Sequence, residues 1–319
     1  MNWLTLESLK IRFYSKKFMS SQEEKVLIGR SFSETISDYY QLTKPGITFA
    51  VLISMLVGFV VGSAGSIDFL TMIHAVIGTY LIAAGTGAHN QFMERNLDGL
   101  MKRTEQRPLP AQRVPAKQGA IFSLTLLFTG LTYLVLMVNP VAGIVSFATA
   151  LIYLAAYTPM KRVSAFNILI GAVPGALPPV GGWAAATGTI SDPGMWLFFG
   201  ILFLWQIPHV MAIAWMYKDD YSGAGFKMLP KDDTEGKKTA FYAILCTLLL
   251  FPISYAVFAL NIAGLVFLTL SIIFAAIFFV YGIRFALERS RLNARKLMFA
   301  SIIYLPMIWV AVFVDMLFL

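Results

Sequence analysis

The sequence predicts an all-α integral membrane protein with nine transmembrane helices, and two observations lead to this fold class. Hydrophobic residues make up 58% of the 319 residues, whereas soluble domains contain roughly 45–50% apolar residues. These residues also form nine apolar runs, most of them close to the roughly 20 residues that a helix needs to cross the hydrocarbon layer. The runs cover residues 47–65, 69–89, 118–138, 141–157, 165–186, 195–216, 239–259, 262–283 and 297–317.

The positive charges define the expected orientation of these spans. All 25 Lys and Arg residues lie in the N-terminal tail or in the loops that follow spans 2, 4, 6 and 8. Because basic loops stay on the cytoplasmic side, this distribution predicts a cytoplasmic N-terminus and a periplasmic C-terminus. The net charge of +8 therefore reflects contact with a lipid bilayer rather than with nucleic acid. The expected location is the bacterial cytoplasmic (inner) membrane.

The first 40 residues are expected to form a basic cytoplasmic tail, and residues 41–319 a single membrane domain. The tail has no apolar core typical of a signal peptide, and it contains Glu7, Glu23, Glu24 and Glu34, which an organellar transit peptide would avoid. Its Leu4–Met19 stretch is compatible with a helix on the membrane surface or with a poorly ordered segment. The single cysteine, Cys246, lies within an apolar run, which excludes a disulfide framework.

Acidic and amide side chains follow span 2 at a helical spacing. Asn90, Glu94 and Asp98 are four residues apart, so they share one face if the helix continues through them. An oxygen-only set of this kind suits Mg²⁺, which binds one or two carboxylates together with water and substrate phosphate. The alternative is a solvated helix end in which the two acids pair with Arg95 and Lys102.

Cations accompany this acidic motif. Lys102, Arg103, Arg107 and Arg113 follow it directly, and Lys161 and Arg162 occupy the next cytoplasmic loop. Carboxylates beside forked cations fit a metal-bridged diphosphate. The competing explanation for these cations is the general preference of Lys and Arg for cytoplasmic loops, the positive-inside bias. That preference alone explains Lys237, Lys238 and the group from Arg284 to Lys296. Because the centres of the spans contain no Asp, Glu, Lys or Arg, an ion-coupled transporter is disfavoured.

A glycine- and proline-rich segment interrupts span 5. Residues 171–183 contain four Gly and three Pro, and irregular backbone at membrane depth is tolerated where it lines a cavity or is buried in protein. We interpret this segment as the wall of an acceptor pocket. Close helix packing through small residues is the alternative.

Four ordered motifs between residues 90 and 230 resemble those of the UbiA superfamily of intramembrane prenyltransferases, and most closely its heme-farnesylating branch. The first is Asn90-x3-Glu94-x3-Asp98 followed by Met101-x-Arg103-Thr104-x2-Arg107-Pro108-Leu109. The others are Tyr157-Thr-x2-Lys161-Arg162, then Asn167-x3-Gly171-x3-Gly175-Ala-x-Pro178-Pro-x2-Gly182-Trp183, and finally Trp205-Gln-Ile-Pro-His209 leading into Tyr217-Lys-Asp-Asp-Tyr221-x2-Ala224-Gly225. A single motif would be a weak signal, but four in order are specific.

The resemblance implies a UbiA-like helical bundle, Mg²⁺ as cofactor, farnesyl diphosphate as donor, heme B as acceptor and heme O as product. Heme A synthase or terminal oxidase assembly proteins are the implied downstream partners. The implied catalytic residues are Asn90, Glu94, Asp98, Asp219 and Asp220, of which Asn90, Glu94, Asp98 and Asp220 hold the metal. The implied diphosphate ligands are Lys102, Arg103, Arg107, Lys161, Arg162 and Lys218. The implied acceptor contacts are His209, Trp205, Asn167, Tyr157 and Tyr221.

Two departures from the superfamily pattern concern the metal ligands. Glu94 stands where the pattern has Asp, and a longer arm can still bind Mg²⁺. In the second motif Asp219 and Asp220 are adjacent rather than four residues apart, which weakens the expectation of a second metal. The alternative function is prenylation of an aromatic or quinone precursor by an enzyme of the same type. A transporter or a heme-binding scaffold could share the topology, but it would not need the acid–cation motif, which favours an enzyme.

The resemblance also leads us to expect that His209 contacts the heme, with an axial ligand to the iron as its candidate role. It lies within a span ten residues before Asp219, or about 15 Å of helix, which places the imidazole deeper in the membrane than the metal site. Pro208 beside it is expected to break the helix locally. A histidine bonded to a neighbouring carbonyl is the alternative. His89 is the competing candidate, and His74 is expected to be structural.

Overall fold

The structure is a computed structural model that describes residues 31–229 and 233–316, and in these ranges the regular elements are all helices. Nine of the helical segments in the described part are long and apolar enough to cross a membrane. The helices are α1 (Phe32–Leu42), α2 (Pro45–Gly62), α3 (Phe69–Asp98), α4 (Ala116–Met137), α5 (Pro140–Leu151), α6 (Asn167–Ala176), α7 (Pro178–Thr187), α8 (Pro193–Met216), α9 (Lys218–Gly223), α10 (Lys237–Ala259), α11 (Leu265–Leu287) and α12 (Arg291–Asp315).

The nine predicted spans are confirmed, with boundaries that differ by up to nine residues, the largest difference being the continuation of the second span to Asp98. The fourth span continues from α5 through a π-helical segment, Ile152–Tyr157, to Met160. The fifth span consists of α6 and α7, which meet at Leu177, so the glycine- and proline-rich segment does interrupt a helix. Pro178 begins α7, a position where the missing N–H of proline costs no hydrogen bond.

Polar side chains cap the ends of several spans. The Asp68 carboxylate accepts hydrogen bonds from the backbone N–H groups of Leu70 and Thr71 at the start of α3. Asn139 and Asp192 cap α5 and α8 in the same way. Because the first backbone N–H groups of a helix have no partner within it, these caps stabilise each end where the apolar sequence begins.

Small residues allow α2 and α7 to contact each other through their backbones. A Cβ atom added at Gly58 would overlap the carbonyl group of Pro179, and one added at Gly182 would overlap the carbonyl group of Met55. Close approach of this kind is typical of helices that associate within a membrane. The two helices are therefore fixed against each other at this depth.

Helix α1 occupies the end of the segment that the sequence assigns to a cytoplasmic tail; residues 1–30, including Leu4–Met19, lie outside the described residues. Ser31 and Glu34 form a reciprocal cap at its start. The buried Asp38 pairs with Arg113 at 2.9 Å, and the Gln91 amide donates to the carbonyls of Gln41 and Leu42. The helix is thereby attached to α3 and to the loop after it.

The predicted helix break at Pro208 is wrong, because α8 continues from Pro193 to Met216. A proline removes one backbone hydrogen bond, and within a membrane protein the neighbouring helices can compensate for that loss. His209 is consequently placed by regular helix geometry.

Candidate active site

The acidic motif lies on one buried face at the C-terminal end of α3. The helix runs through Asp98, as the four-residue spacing predicts. Asn90, Glu94 and Asp98 are only 1%, 5% and 1% exposed. Buried carboxylates need partners, so the contacts of these three side chains define the chemistry of the site.

Lys44 holds Asn90 in place. Its Nζ donates to Asn90 Oδ1 at 2.5 Å, while the Asn90 Nδ2 donates to Thr158 Oγ1 at 3.0 Å. Burial, together with the nearby positive charges of Arg107 and Lys161, lowers the pKa of Lys44 to about 7, against the opposing effect of Glu94 and Asp98. Lys44 also has a positive φ of 50°, a strained backbone conformation for a residue with a side chain, of the type that occurs at functional sites.

Glu94 forms a buried ion pair with Lys161. The Lys161 Nζ lies 2.8 Å from Glu94 Oε1, and 4.5 Å from the ring centre of Tyr157. Burial disfavours the charge on Lys161, but Tyr157 and Glu94 outweigh it and raise the pKa of the ammonium group. The cation that the sequence assigns to diphosphate binding is therefore present at the motif and charged.

Asp98 pairs with Arg107 from the loop after α3. The Arg107 guanidinium donates to Asp98 Oδ2 at 2.7 Å, and the Thr104 hydroxyl donates to the Asp98 backbone carbonyl at 2.8 Å. The alternative of a solvated helix end required pairing with Arg95 and Lys102. The structure instead pairs the two acids with Lys161 and Arg107, so cations from two separate loops converge on the motif.

The second acidic motif lines a polar pocket of about 470 Å³. Asp219 is exposed and Asp220 is half-buried at the start of α9. The Arg103 guanidinium donates to the Tyr221 hydroxyl at 3.2 Å and lies 5.6 Å from the ring centre of Tyr217. The lining residues are Lys102, Arg103, Met216, Tyr217, Asp219, Asp220 and Arg291.

Two of the remaining predicted diphosphate ligands are peripheral. Lys218 lies 4.8 Å from the ring centre of Trp215, and Arg162 is exposed beside Lys161.

Two cations at the site were not predicted. Lys44 contacts Asn90 across 46 positions of sequence, and Arg291 belongs to the group that the positive-inside bias explained.

The donor groups at the motif fit Mg²⁺ only in part. Among the described residues, no group of three or more His, Cys, Asp or Glu side chains is placed to hold a metal ion. Asn90, Glu94 and Asp98 nevertheless offer hard oxygen atoms on one face, the type that Mg²⁺ prefers, and phosphate and water oxygens ordinarily complete its shell. Asn90, Glu94 and Asp98 would hold such an ion, provided that Lys44, Lys161 and Arg107 move from these oxygens to phosphate.

The structure separates the predicted acceptor residues into three sets. His209 Nδ1 lies 2.7 Å from Ser301 Oγ, and the Trp205 ring stacks on the imidazole. Tyr157 and Tyr221 instead lie against the cations Lys161 and Arg103. Asn167 is fully buried, and its amide donates to the carbonyls of Ser164 and Lys227, which ties α6 to the loop after α9.

The other two histidines lie between α3 and α4. His89 Nδ1 is 2.9 Å from Ser123 Oγ, and His74 Nδ1 is 2.8 Å from the Tyr133 hydroxyl. These contacts join the two helices, so both histidines have a packing role in this structure.

An apolar cavity of about 150 Å³ extends into the bundle from Lys44. Its walls come from α2, α3, the fourth span and the junction of α6 with α7. Pro174, Gly175, Leu177, Pro178 and Gly181 of the glycine- and proline-rich segment line it. The segment therefore serves both as a cavity wall and, at Gly182, as a close packing surface.

Sequence comparisons identify the family of this fold and site. The sequence profile of the UbiA prenyltransferase family matches residues 51–303. The chain belongs to the UbiA prenyltransferase family. Protoheme IX farnesyltransferase of Solibacter usitatus is 40% identical over 287 residues, which is 87% of this chain and 98% of the relative. The enzyme of the same name from Salinibacter ruber is 38% identical, over 87% of this chain and 98% of its own length. The protein is accordingly a membrane prenyltransferase.

Solved structures agree with this assignment at the level of the fold. A digeranylgeranylglyceryl phosphate synthase matches with a TM-score of 0.75 at 20% identity, over 90% of this chain and 100% of its own. A UbiA homologue from Archaeoglobus fulgidus, bound to DMAPP and Mg²⁺, matches with a TM-score of 0.62 at 13% identity, over 87% of this chain and 99% of its own.

Proposed function

We propose that this enzyme transfers a farnesyl group from farnesyl diphosphate to a vinyl group of heme B. Diphosphate leaves, and addition of water completes the hydroxyethylfarnesyl arm of heme O. The observation that supports the donor is the placement of three cations, Lys44, Lys161 and Arg107, on the three residues of the acidic motif at the mouth of an apolar cavity. The names of the relatives support the acceptor.

The site residues divide the work of the reaction between them. Lys44, Lys161, Arg107 and Arg103 would bind the diphosphate and stabilise the negative charge that grows as it departs. Mg²⁺, when bound, would neutralise the same charge. The apolar cavity would hold the chain and exclude water from the allylic carbon, and the Tyr157 ring beside Lys161 would face the positive charge that develops there.

The proposed function predicts a specific product in cells. Heme extracted from cells that express this chain should contain heme O, and extracts from matched cells without it should not. Purified protein should form the same product from farnesyl diphosphate and heme B only when Mg²⁺ is added. Heme O at equal levels in both cell extracts would contradict the assignment. The downstream heme A synthase or oxidase assembly proteins remain proposed partners of this product.

The contacts of His209 support a role as an axial ligand to the heme iron. Ser301 Oγ donates to the Met298 carbonyl, so it is suited to accept a hydrogen bond from the His209 Nδ1–H. In that tautomer Nε2 carries the free lone pair that a metal needs, and a partner on the other ring nitrogen is typical of metal-bound histidine.

We therefore expect His209→Ala to weaken heme binding and to shift the Soret band of the purified protein. The affinity for farnesyl diphosphate should stay nearly unchanged, because the side chain contacts α12 rather than the acidic motif. His89→Ala is the matched control, since its imidazole makes a similar contact with Ser123. An unaltered spectrum and heme affinity in His209→Ala, with a shift in His89→Ala, would move the ligand role to His89.

The distribution of Lys and Arg supports a cytoplasmic active site in the bacterial inner membrane. A reporter fused after Leu319 should then be periplasmic, and one inserted near Lys231 cytoplasmic; both positions lie outside the described residues. An alkaline phosphatase fusion and a green fluorescent protein fusion at each position measure this. The opposite readout at either position would overturn the orientation.

A further inference from the structure

The apolar cavity has a defined depth. Two antiparallel helices form its facing walls: α2, with lining residues from Ile47 to Met55, and α3, with lining residues from Gly87 back to Thr79. The hydrogen bond between Lys44 and Asn90 joins these walls at the cavity mouth. Met55 is eleven residues beyond Lys44, and Thr79 is eleven residues from Asn90. At 1.5 Å per residue, both walls extend about 16 Å from the mouth.

At the end of the cavity wall farthest from Lys44, close packing holds the backbone of α2 in place. Met55 lines this end and is 2% exposed. Its carbonyl group lies directly against Gly182, and Gly58, one turn further along α2, lies against the Pro179 carbonyl group. Because α2 and α7 cannot separate here without losing this packing, the Met55 side chain controls how far the cavity continues.

Met55 also packs inside the bundle. It belongs to a buried cluster with Phe59, Ala75, Ala142 and Ala185, and larger side chains that include Met72 and Val138 pack against this cluster. Because a packed core relaxes only partly around a truncated side chain, shortening Met55 would leave a gap. The gap would be continuous with the cavity, since Met55 lines both.

The depth matches a particular prenyl chain. Three single bonds along an extended chain span about 3.5 Å, so a four-bond isoprene unit spans about 4.6 Å. Three units then extend about 14 Å and four units about 18 Å. With the diphosphate held by the cations at the mouth, a cavity of about 16 Å accepts three units but not four.

We propose that Met55 sets the chain length of the donor by closing the prenyl cavity after the third isoprene unit. This inference rests on the proposed function for the identity of the donor site. Met55 would select among allylic diphosphates because its side chain would contact the end of the prenyl chain that is farthest from the reacting carbon.

The test compares donors of different length in variants of this residue. Met55→Ala and the milder Met55→Val should raise the preference for geranylgeranyl over farnesyl diphosphate, by kcat/KM in competition. A hydrophobic pocket discriminates a single methylene by roughly 10- to 200-fold, so a change of at least tenfold is expected for Met55→Ala. Met55→Phe should shift the preference in the opposite direction, toward geranyl diphosphate.

Met72→Ala is the matched control, because Met72 packs on the same buried cluster but does not line the cavity. Dissociation constants of geranyl, farnesyl and geranylgeranyl thiolodiphosphates provide a readout that needs no acceptor. Equal preferences in Met55→Ala, Met55→Val, Met72→Ala and the parent would overturn the role of Met55. Shifted thiolodiphosphate affinities without heme O formation would support the inference and reject heme as the acceptor.

Discussion

Asp98→Asn is expected to reduce farnesyl transfer by about 10²- to 10³-fold or more, the range for loss of one group that stabilises charge in a transition state. The carboxylate is the Arg107 partner and a proposed Mg²⁺ ligand, and an amide provides neither the charge nor a strong metal donor. The variant should still fold, since the Thr104 hydroxyl binds the Asp98 backbone carbonyl rather than the side chain. Product formation across a range of Mg²⁺ concentrations measures the effect.

Asp68→Asn is the control for this change, because Asp68 caps the opposite end of the same helix, α3. Its activity should stay close to that of the parent. Near-normal turnover of Asp98→Asn at limiting Mg²⁺ would remove Asp98 from the metal site and favour a purely structural ion pair with Arg107.

Lys161→Met is expected to abolish activity and to destabilise the protein. The Lys161 and Glu94 side chains are 13% and 7% exposed, and removing one partner of a buried ion pair costs about 3–5 kcal/mol because the other charge is left unpaired. The double variant Glu94→Gln/Lys161→Met should recover most of the stability, since the unpaired charge is gone, yet remain inactive. Thermal unfolding in detergent and a transfer assay distinguish the two effects.

A surface ion pair provides the comparison. Lys237 and Glu235 lie 2.6 Å apart but are 72% and 66% exposed, so Lys237→Met should change neither the unfolding temperature nor the activity appreciably. If Lys161→Met unfolds at the same temperature as the parent, the loss of Lys161 does not leave an unpaired buried charge on Glu94, and the expected destabilisation is wrong. If the double variant regains activity, the ammonium group is not needed for the reaction.

Much of the fold is predictable from the sequence because the membrane constrains it strongly. Span length and apolar composition predicted the nine helices, and the four-residue spacing predicted that α3 continues through Asp98. Both signals are local along the chain. Pro208 gave a wrong local prediction, because its effect depends on neighbouring helices that the sequence does not display.

The candidate site was predictable in its acids but not in all of its cations. Glu94 and Asp98 were marked by their spacing, whereas Lys44 has no motif around it and reaches Asn90 only after the chain folds. In the sequence, Arg291 resembles the other positive charges of the loops between spans, and only the fold places it on the pocket that Asp219 and Asp220 also line. The partner of each acid was likewise a matter of tertiary structure, since Arg95 and Lys102 are nearer in sequence than Lys161.

The π-helical segment Ile152–Tyr157 determines how the sequence of this region can vary. A π-helical turn accommodates an extra residue within an α-helix, and such turns are frequent at functional sites. Because the wider turn absorbs that residue, a single-residue deletion within the segment should restore a regular α-helix and leave Thr158 and Lys161 on the face that meets Asn90 and Glu94. Each residue of an α-helix turns the chain by about 100°, so the same deletion in the α-helical part of this span would rotate both residues off that face. Single-residue deletions should therefore be accepted in this segment and eliminated in the α-helix before it.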